Sequence, residues 1–246
     1  MIKVIIMITK FIVAATIALF LNSCNIKADF GNGTEGNGKT TTEVRNVSKN
    51  FRSINVGCDI EVILEQSDRV FVSVEAESNL QKLIVTKVER GVLIIEPNES
   101  ISPNKTIKVV VRMPKIEGLE ASSSSKIKSI GYLNGDSISI DASSSGEVDV
   151  KLEYENITID ASSSGTIKAK GIALKLETSA SSSGEIDAFE LLVNEVLAEV
   201  SSSGTIKVHP IINLNADANS GGDITYNIEP KSKSVDESSG GNIERE

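Results

Sequence analysis

The chain has no tryptophan, one histidine (His209), three tyrosines and two cysteines in 246 residues. So few aromatic rings argue against a large aromatic binding cleft. A lone histidine, with no Gly-x-Ser-x-Gly elbow anywhere, leaves serine chemistry without its general base. Basic residues are outnumbered, 25 against 34, for a net charge of −9. Such a surface is a poor partner for nucleic acid or anionic lipid. Long apolar runs are also missing beyond the first 21 residues.

That one run has its own reading. Lys3 and Lys10 give a positive start, and Phe11 to Leu21 has the length of a secretory h-region, too short to span a bilayer comfortably. It ends in Leu21-Asn22-Ser23-Cys24, which resembles a bacterial lipobox cleaved just before a cysteine that becomes lipidated. Residues 1–23 therefore read as a lipoprotein signal peptide and Cys24 as the lipidation site. Asn25 follows the cysteine, where Asp would favour inner-membrane retention, so an outer-membrane or cell-surface home is expected. Cleavage would remove Lys3 and Lys10, taking the net charge to −11. With Cys24 committed to lipid, Cys58 cannot form an internal disulfide and reads as a small buried residue. Residues 24–48, rich in Gly, Asn and Thr without apolar period, read as a flexible tether.

What the sequence has in abundance is repetition. Seven times the chain returns to one phrase, from Ser122-Ser-Ser-Ser-Lys-Ile127 and Ser143-Ser-Ser-Gly-Glu-Val148 to Ser238-Ser-Gly-Gly-Asn-Ile243. The fourth positions are Ser125, Gly146, Gly165, Gly184, Gly204, Gly222 and Gly241, spaced 18 to 21 residues apart. A period this constant means one unit stacked on copies of itself, because a lone unit cannot bury its apolar face. Two positions after the Gly stands an apolar column of Ile127, Val148, Ile167, Ile186, Ile206, Ile224 and Ile243; four before it, mostly Ala. Each unit reads as strand, tight turn, strand and return loop, with Gly supplying positive φ at the corner. The fold class is all-β: a right-handed parallel β-helix or solenoid of short 18–21-residue coils over residues 119–246. Residues 49–118 alternate apolar and polar between turn signals and read as antiparallel β-hairpins leading into it. Asn55-Val-Gly-Cys-Asp-Ile60 echoes Asn219-Ser-Gly-Gly-Asp-Ile224, suggesting an outlying coil before the main stack.

In a solenoid, equivalent positions stack about 4.8 Å apart, so candidate sites are columns. Three after the Gly, Lys128, Asp149, Lys168, Asp187 and Lys207 alternate in sign and read as an exposed ion-pair ladder. Five before it stand Glu120, Asp141, Asp160, Ser179, Glu199, Asp217 and Asp236. Stacked carboxylates repel, so the six acids are a solvated edge or, with a cation between them, a weak Ca²⁺ strip. The repeated serines, one in every coil two before the Gly, read as a structural ladder, since an active site needs one activated serine. No cofactor is called for beyond that Ca²⁺.

The opening Phe51-x-x-Ile54-x-Val56-x-x-x-Ile60-x-Val62, the Val109-Val-Val-Arg-Met-Pro114 strand and the Ser-Ser-Gly coils through Gly241-Asn-Ile243 carry a resemblance. Over Asn46 to Ile243 the sequence resembles the auto-transporter adhesin head GIN domain family of Bacteroidetes-type secreted proteins. That resemblance implies a β-helix-like ectodomain exported to the cell envelope, and it brings no active-site residues. The expected function is a non-enzymatic, lipid-anchored binding or adhesin ectodomain, held to the membrane by its lipid, with a glycan or envelope-protein ligand. Rival readings are a carbohydrate-active, lyase-like β-helix enzyme, which would need a groove of clustered charge, and a structural or sensor scaffold. A terminal coil with no evident cap raises self-association through its edge.

Overall fold

The computed structural model describes residues 33–246; the expected signal peptide, Cys24 and the first part of the expected tether lie outside the described residues. The strands in chain order begin with β1 (Thr34–Glu35), β2 (Thr40–Val44), β3 (Ser53–Val56), β4 (Ile60–Gln66) and β5 (Phe71–Glu77). Then come β6 (Ile84–Glu89), β7 (Val92–Pro97), β8 (Ile101–Ser102), β9 (Ile107–Met113) and β10 (Gly118–Ala121). Five long strands follow: β11 (Lys126–Ala142), β12 (Glu147–Ala161), β13 (Thr166–Ala180), β14 (Glu185–Val200) and β15 (Thr205–Ala218). The chain closes with β16 (Asp223–Tyr226), β17 (Ser232–Glu237) and β18 (Asn242–Arg245).

The stack is a parallel β-solenoid, with β11 to β15 each bonded to the next coil. The apolar column runs in register from Ile127 through Val148, Ile167, Ile186 and Ile206 to Ile224 and Ile243, buried except at the last. One expectation changes: within β11 to β15 no return loop separates the two strands of a coil. Such a loop is kept in the last coil, over residues 227–231 between β16 and β17. Each long strand continues around the coil and turns where two successive residues face outward, as at Glu155-Asn156 and Leu174-Lys175. That local reversal of the alternation re-aims the chain without breaking the ladder.

At the remaining corner the polypeptide makes a tight turn with two residues in the left-handed region. These are Ser144 and Ser145 (φ 49° and 63°), with close equivalents in the other repeats. The fourth residue closes each turn, as Gly146 N–H donates to Ser143 O at 2.8 Å. Successive turns are also bonded, Ser145 N–H to Ser163 O and Ser164 N–H to Ser182 O. Positive φ thus falls on the serines and not, as expected, on the following glycine. That glycine is needed for closeness: a Cβ on Gly165 would sit 2.2 Å from the Ala142 carbonyl oxygen of the coil beneath. Ser125 is accommodated because its buried hydroxyl donates to Val56 O at 2.8 Å.

The solenoid begins earlier than the repeats. β3 and β4 form a coil around a turn with Cys58 and Asp59 at positive φ (61° and 58°), and they pair in parallel with β10 and β11 above. Below them, β7 and β9 make the outermost coil. An outlying coil therefore exists, but its turn is Gly57–Ile60, two residues off the expected match to Asn219–Gly222, and Cys58 is half-exposed rather than buried. Residues 49–118 are not a run of hairpins, and no boundary falls at 118/119, since β10 crosses it. Among the described residues antiparallel pairing is confined to the cap, where β6 closes on β7 and β2–β5–β9 finish the other face.

The tether expectation also shortens. From Thr34 the chain is strand, β1 beside β8 and β2 along β5. Glu77 clamps this strap by accepting N–H groups of Gly38 and of Asn104, the latter at 2.8 Å. Burial alone would raise the Glu77 pKa, but the amides of Gly38, Asn104 and Lys105 reverse that and hold it below the ordinary carboxylate range. At the far end, the last coil places Lys233 over Leu214, Glu237 over Ala218 and Arg245 over Tyr226. Charges thus stand where core side chains belong, a means of discouraging edge-to-edge pairing. Lys233 donates to Tyr226 Oη at 2.7 Å and pairs with Glu229 at 3.1 Å.

Gly165→Ala should cost about 1–3 kcal/mol by overpacking, whereas Ser164→Gly should stabilise by up to about 1–2 kcal/mol by relieving a left-handed residue. Denaturant midpoints of the two variants check both signs. The lowered Glu77 pKa adds stability present above its unfolded value and lost as pH falls through the folded one. Glu77→Gln should therefore abolish acid-driven release of the strap, read as Gly38 amide exchange across that range.

Candidate functional site

Three surfaces could carry function: the acidic column, the charged ladder and a groove where cap meets coils. The acidic column is real in register, Glu120 beside Asp141 beside Asp160, then Ser179, Glu199, Asp217 and Asp236. Burial, then repulsion by Asp141, pushes the Glu120 carboxyl above its ordinary range, partly offset by Asn55 Nδ2–H at 2.6 Å. Burial also raises Asp141, against a hydrogen bond with Ser139, and burial followed by Asp141 raises Asp160. The carboxylates stack along the axis and do not converge. Among the described residues no group of three His, Cys, Asp or Glu side chains comes together to hold a metal.

The sign-alternating column is likewise in register, and Lys128 lies 3.8 Å from Asp149. Tighter exposed pairs were not foreseen: Lys126–Glu147 at 2.8 Å and Lys170–Glu190 at 2.6 Å. Each is worth under about 1 kcal/mol, against about 1.5–3 kcal/mol for a buried Ile. The ladder therefore assists register and the isoleucine column sets stability. His209 Nδ1 lies 3.2 Å from Phe189 O, with no hydrogen bond to a serine among the described residues. The serines are turn residues. Beyond the groove, Tyr132, Ile172 and Leu192 form one exposed apolar cluster, and Ile130 and Leu174 are also exposed.

The groove, of about 720 Å³, was not anticipated. Gln66, Pro114 to Glu117, Asn134 to Ser139, Asn156 and Thr158 line it. Its cause is topological. β4 pairs with β11 only as far as Ile130, and β10 resumes the pairing at Ser139. Between them the Gln66 side chain stands in for a strand, accepting Asn134 N–H at 2.7 Å and donating to Asn134 O and Pro114 O at 3.0 Å each. Tyr154 underlies Gly135, and its hydroxyl donates to Ile116 O at 2.9 Å. Arg52 pairs with Glu117 at 2.7 Å on the rim. The Ser125–Gly146 interval, at 21 residues the longest of the set, does not signal the groove, since its two extra residues form a bulge between Lys128 and Tyr132, outside the lining.

A raised acid pKa means a stability contribution present below the unfolded pKa and lost as pH rises through the folded one. Asp141→Asn should therefore raise the melting temperature at pH 7, and the gain should vanish below about pH 4, where aspartate protonates. A melting series from pH 3 to 8 would show it.

Several solved structures share this fold. A putative adhesin from Bacteroides fragilis matches with a TM-score of 0.81 at 21% identity, covering 87% of this chain and 100% of that one. A putative lipid binding protein from Parabacteroides distasonis gives 0.70 at 23% identity over 86% and 98%. A putative adhesin from Parabacteroides merdae gives 0.65 at 22% over 88% and 100%. At such identities the likeness concerns the fold alone. No curated protein matches the chain. The model of one family covers residues 50–230, and the chain belongs to that family, described as putative auto-transporter adhesin, head GIN domain.

Proposed function

We propose that this protein is a non-enzymatic lipoprotein of the cell envelope, anchored through Cys24, whose solenoid binds a glycan or another envelope component. The observation that carries the reading is a surface built from repeated, in-register columns in which the candidate residues stack along the axis instead of converging. Stacked, equivalent positions suit repeated weak contacts with an extended polymer. Membership of an adhesin-like family supports a cell-surface or envelope location. If Cys24 is the lipidated terminus, residues 24–32 give a lead of at most about 30 Å at ~3.4 Å per residue. The strap would then hold the cap near the membrane and point the acidic coils away from it.

Core residues run from Phe51 to Tyr226, so the chain from Asn25 onward contains the whole packed unit. Purified Asn25–Glu246 on an array of glycans and envelope polymers should give saturable binding, and loss with a chelator would assign the acidic column a cation. A blank array, or a turnover abolished by one substitution, would sink the reading. In cells, Cys24→Ser should lose incorporation of an alkyne-labelled fatty acid and leave the membrane fraction.

A further inference from the structure

The groove between cap and coils differs from the rest of the surface because the sheet is interrupted there. Among the described residues no strand pairs with the lower edge of β11 from Gly131 to Ile138, and one side-chain amide bridges the gap at Asn134. A hole in a solenoid wall is a cost unless it is closed, and closing it would take only a strand extended by a few residues. Here the gap is instead propped open. Gln66 is pinned by three hydrogen bonds, Tyr154 and the Ile116 carbonyl brace the floor, and Pro114 stiffens the crossing segment.

The lining chemistry is selective. Asn134, Asn156, Ser137 and Thr158 supply exposed amides and hydroxyls, and Asp136 and Lys115 add one exposed carboxylate and one exposed ammonium, of opposite charge. Glu117 is neutralised by Arg52. Buried Ile116 and Ile138 give an apolar floor. Paired donors and acceptors over a small apolar floor match the edges and faces of a sugar ring. The acidic charge of the chain disfavours a polyanion. An extended peptide would need a straight edge for strand addition, whereas this edge turns a corner at Asn134–Ser137.

We infer that this groove is a binding site for a neutral oligosaccharide, with Asp136, Asn156 and Thr158 as its principal hydrogen-bonding side chains. The inference rests on the glycan-binding reading above and narrows it to one place and one sugar class. It is testable on ¹⁵N-labelled Asn25–Glu246 titrated with cellohexaose, maltohexaose, xylohexaose and a mannan hexasaccharide, with polygalacturonate and an extended decapeptide as contrasts.

The expected result is saturable shifts of the Asn134 to Ser139, Asn156 and Thr158 amides with at least one neutral hexasaccharide. Asn156→Trp, which fills the groove from an exposed position, should weaken that binding at least about tenfold. Asn215→Trp, on the same face several coils away, should leave it unchanged, and both variants should melt like the parent. Three results overturn the assignment: no shift of these amides with any neutral probe, shifts only with polygalacturonate or the peptide, or equal binding by Asn156→Trp. Array binding that persists while these amides stay still rejects the groove and leaves the glycan-binding reading standing. A silent groove together with a blank array rejects both.

Discussion

Backbone-to-backbone contact at the serine turn is the constraint on which the stack depends. Each turn lies directly on the one below, its second left-handed residue donating to the first left-handed residue of the neighbouring coil. At that spacing the glycines at the fourth position, such as Gly146, Gly165 and Gly184, have no room for a side chain, because the carbonyl beneath occupies the Cβ position. Small serines at positive φ accept a local strain that asparagine or glycine would lessen. The strain recurs in each repeat and is offset by the ladder it permits. Once the turns are locked, the isoleucine column two residues later is in register without further specification.

Unlimited stacking is the hazard of such a design, and the two ends meet it differently. The N-terminal end is closed by antiparallel strands, which satisfy the outer coil and then present β6 and β2 as short edges. The C-terminal end keeps parallel pairing to the last strand but alters the core-facing register positions: Lys233, Glu237 and Arg245 stand over apolar residues of the coil before, while Val235 and Ile243 continue the apolar columns. A further copy docked there would have to bury those charges. The edge is open in hydrogen bonding but carries exposed charge, which disfavours burial against a further strand.

Much of the architecture was legible because a repeat writes its geometry several times over. Register, the apolar column, the acidic column and the ladder all follow from counting from one glycine. Details that need three dimensions did not follow. Whether positive φ falls on Ser145 or Gly146 depends on the carbonyl of the coil beneath, which no local pattern reveals. Ser53–Gln66 looked like hairpin sequence because alternation has the same period in parallel and antiparallel strands. Its place between β9 and β11 arises from a crossover that inserts an early coil beneath a later one. The tether was misjudged from Gly33 onward because one buried carboxylate, Glu77, orders a glycine-rich segment that composition alone marks as flexible.

The same crossover explains why the groove was invisible and why it is the better place to look for recognition. Repetition makes sites equivalent, and equivalence spreads any interaction thinly along a surface. Specificity needs a point where the repeat is broken and the exposed backbone and side chains are held in one arrangement. In this chain the break comes where β4 stops, β10 has not begun, and Gln66 carries a strand's hydrogen bonds on its side chain. The two extra residues of the first coil lie elsewhere, in a bulge of β11 against β12 between Lys128 and Tyr132, so coil length does not mark the break.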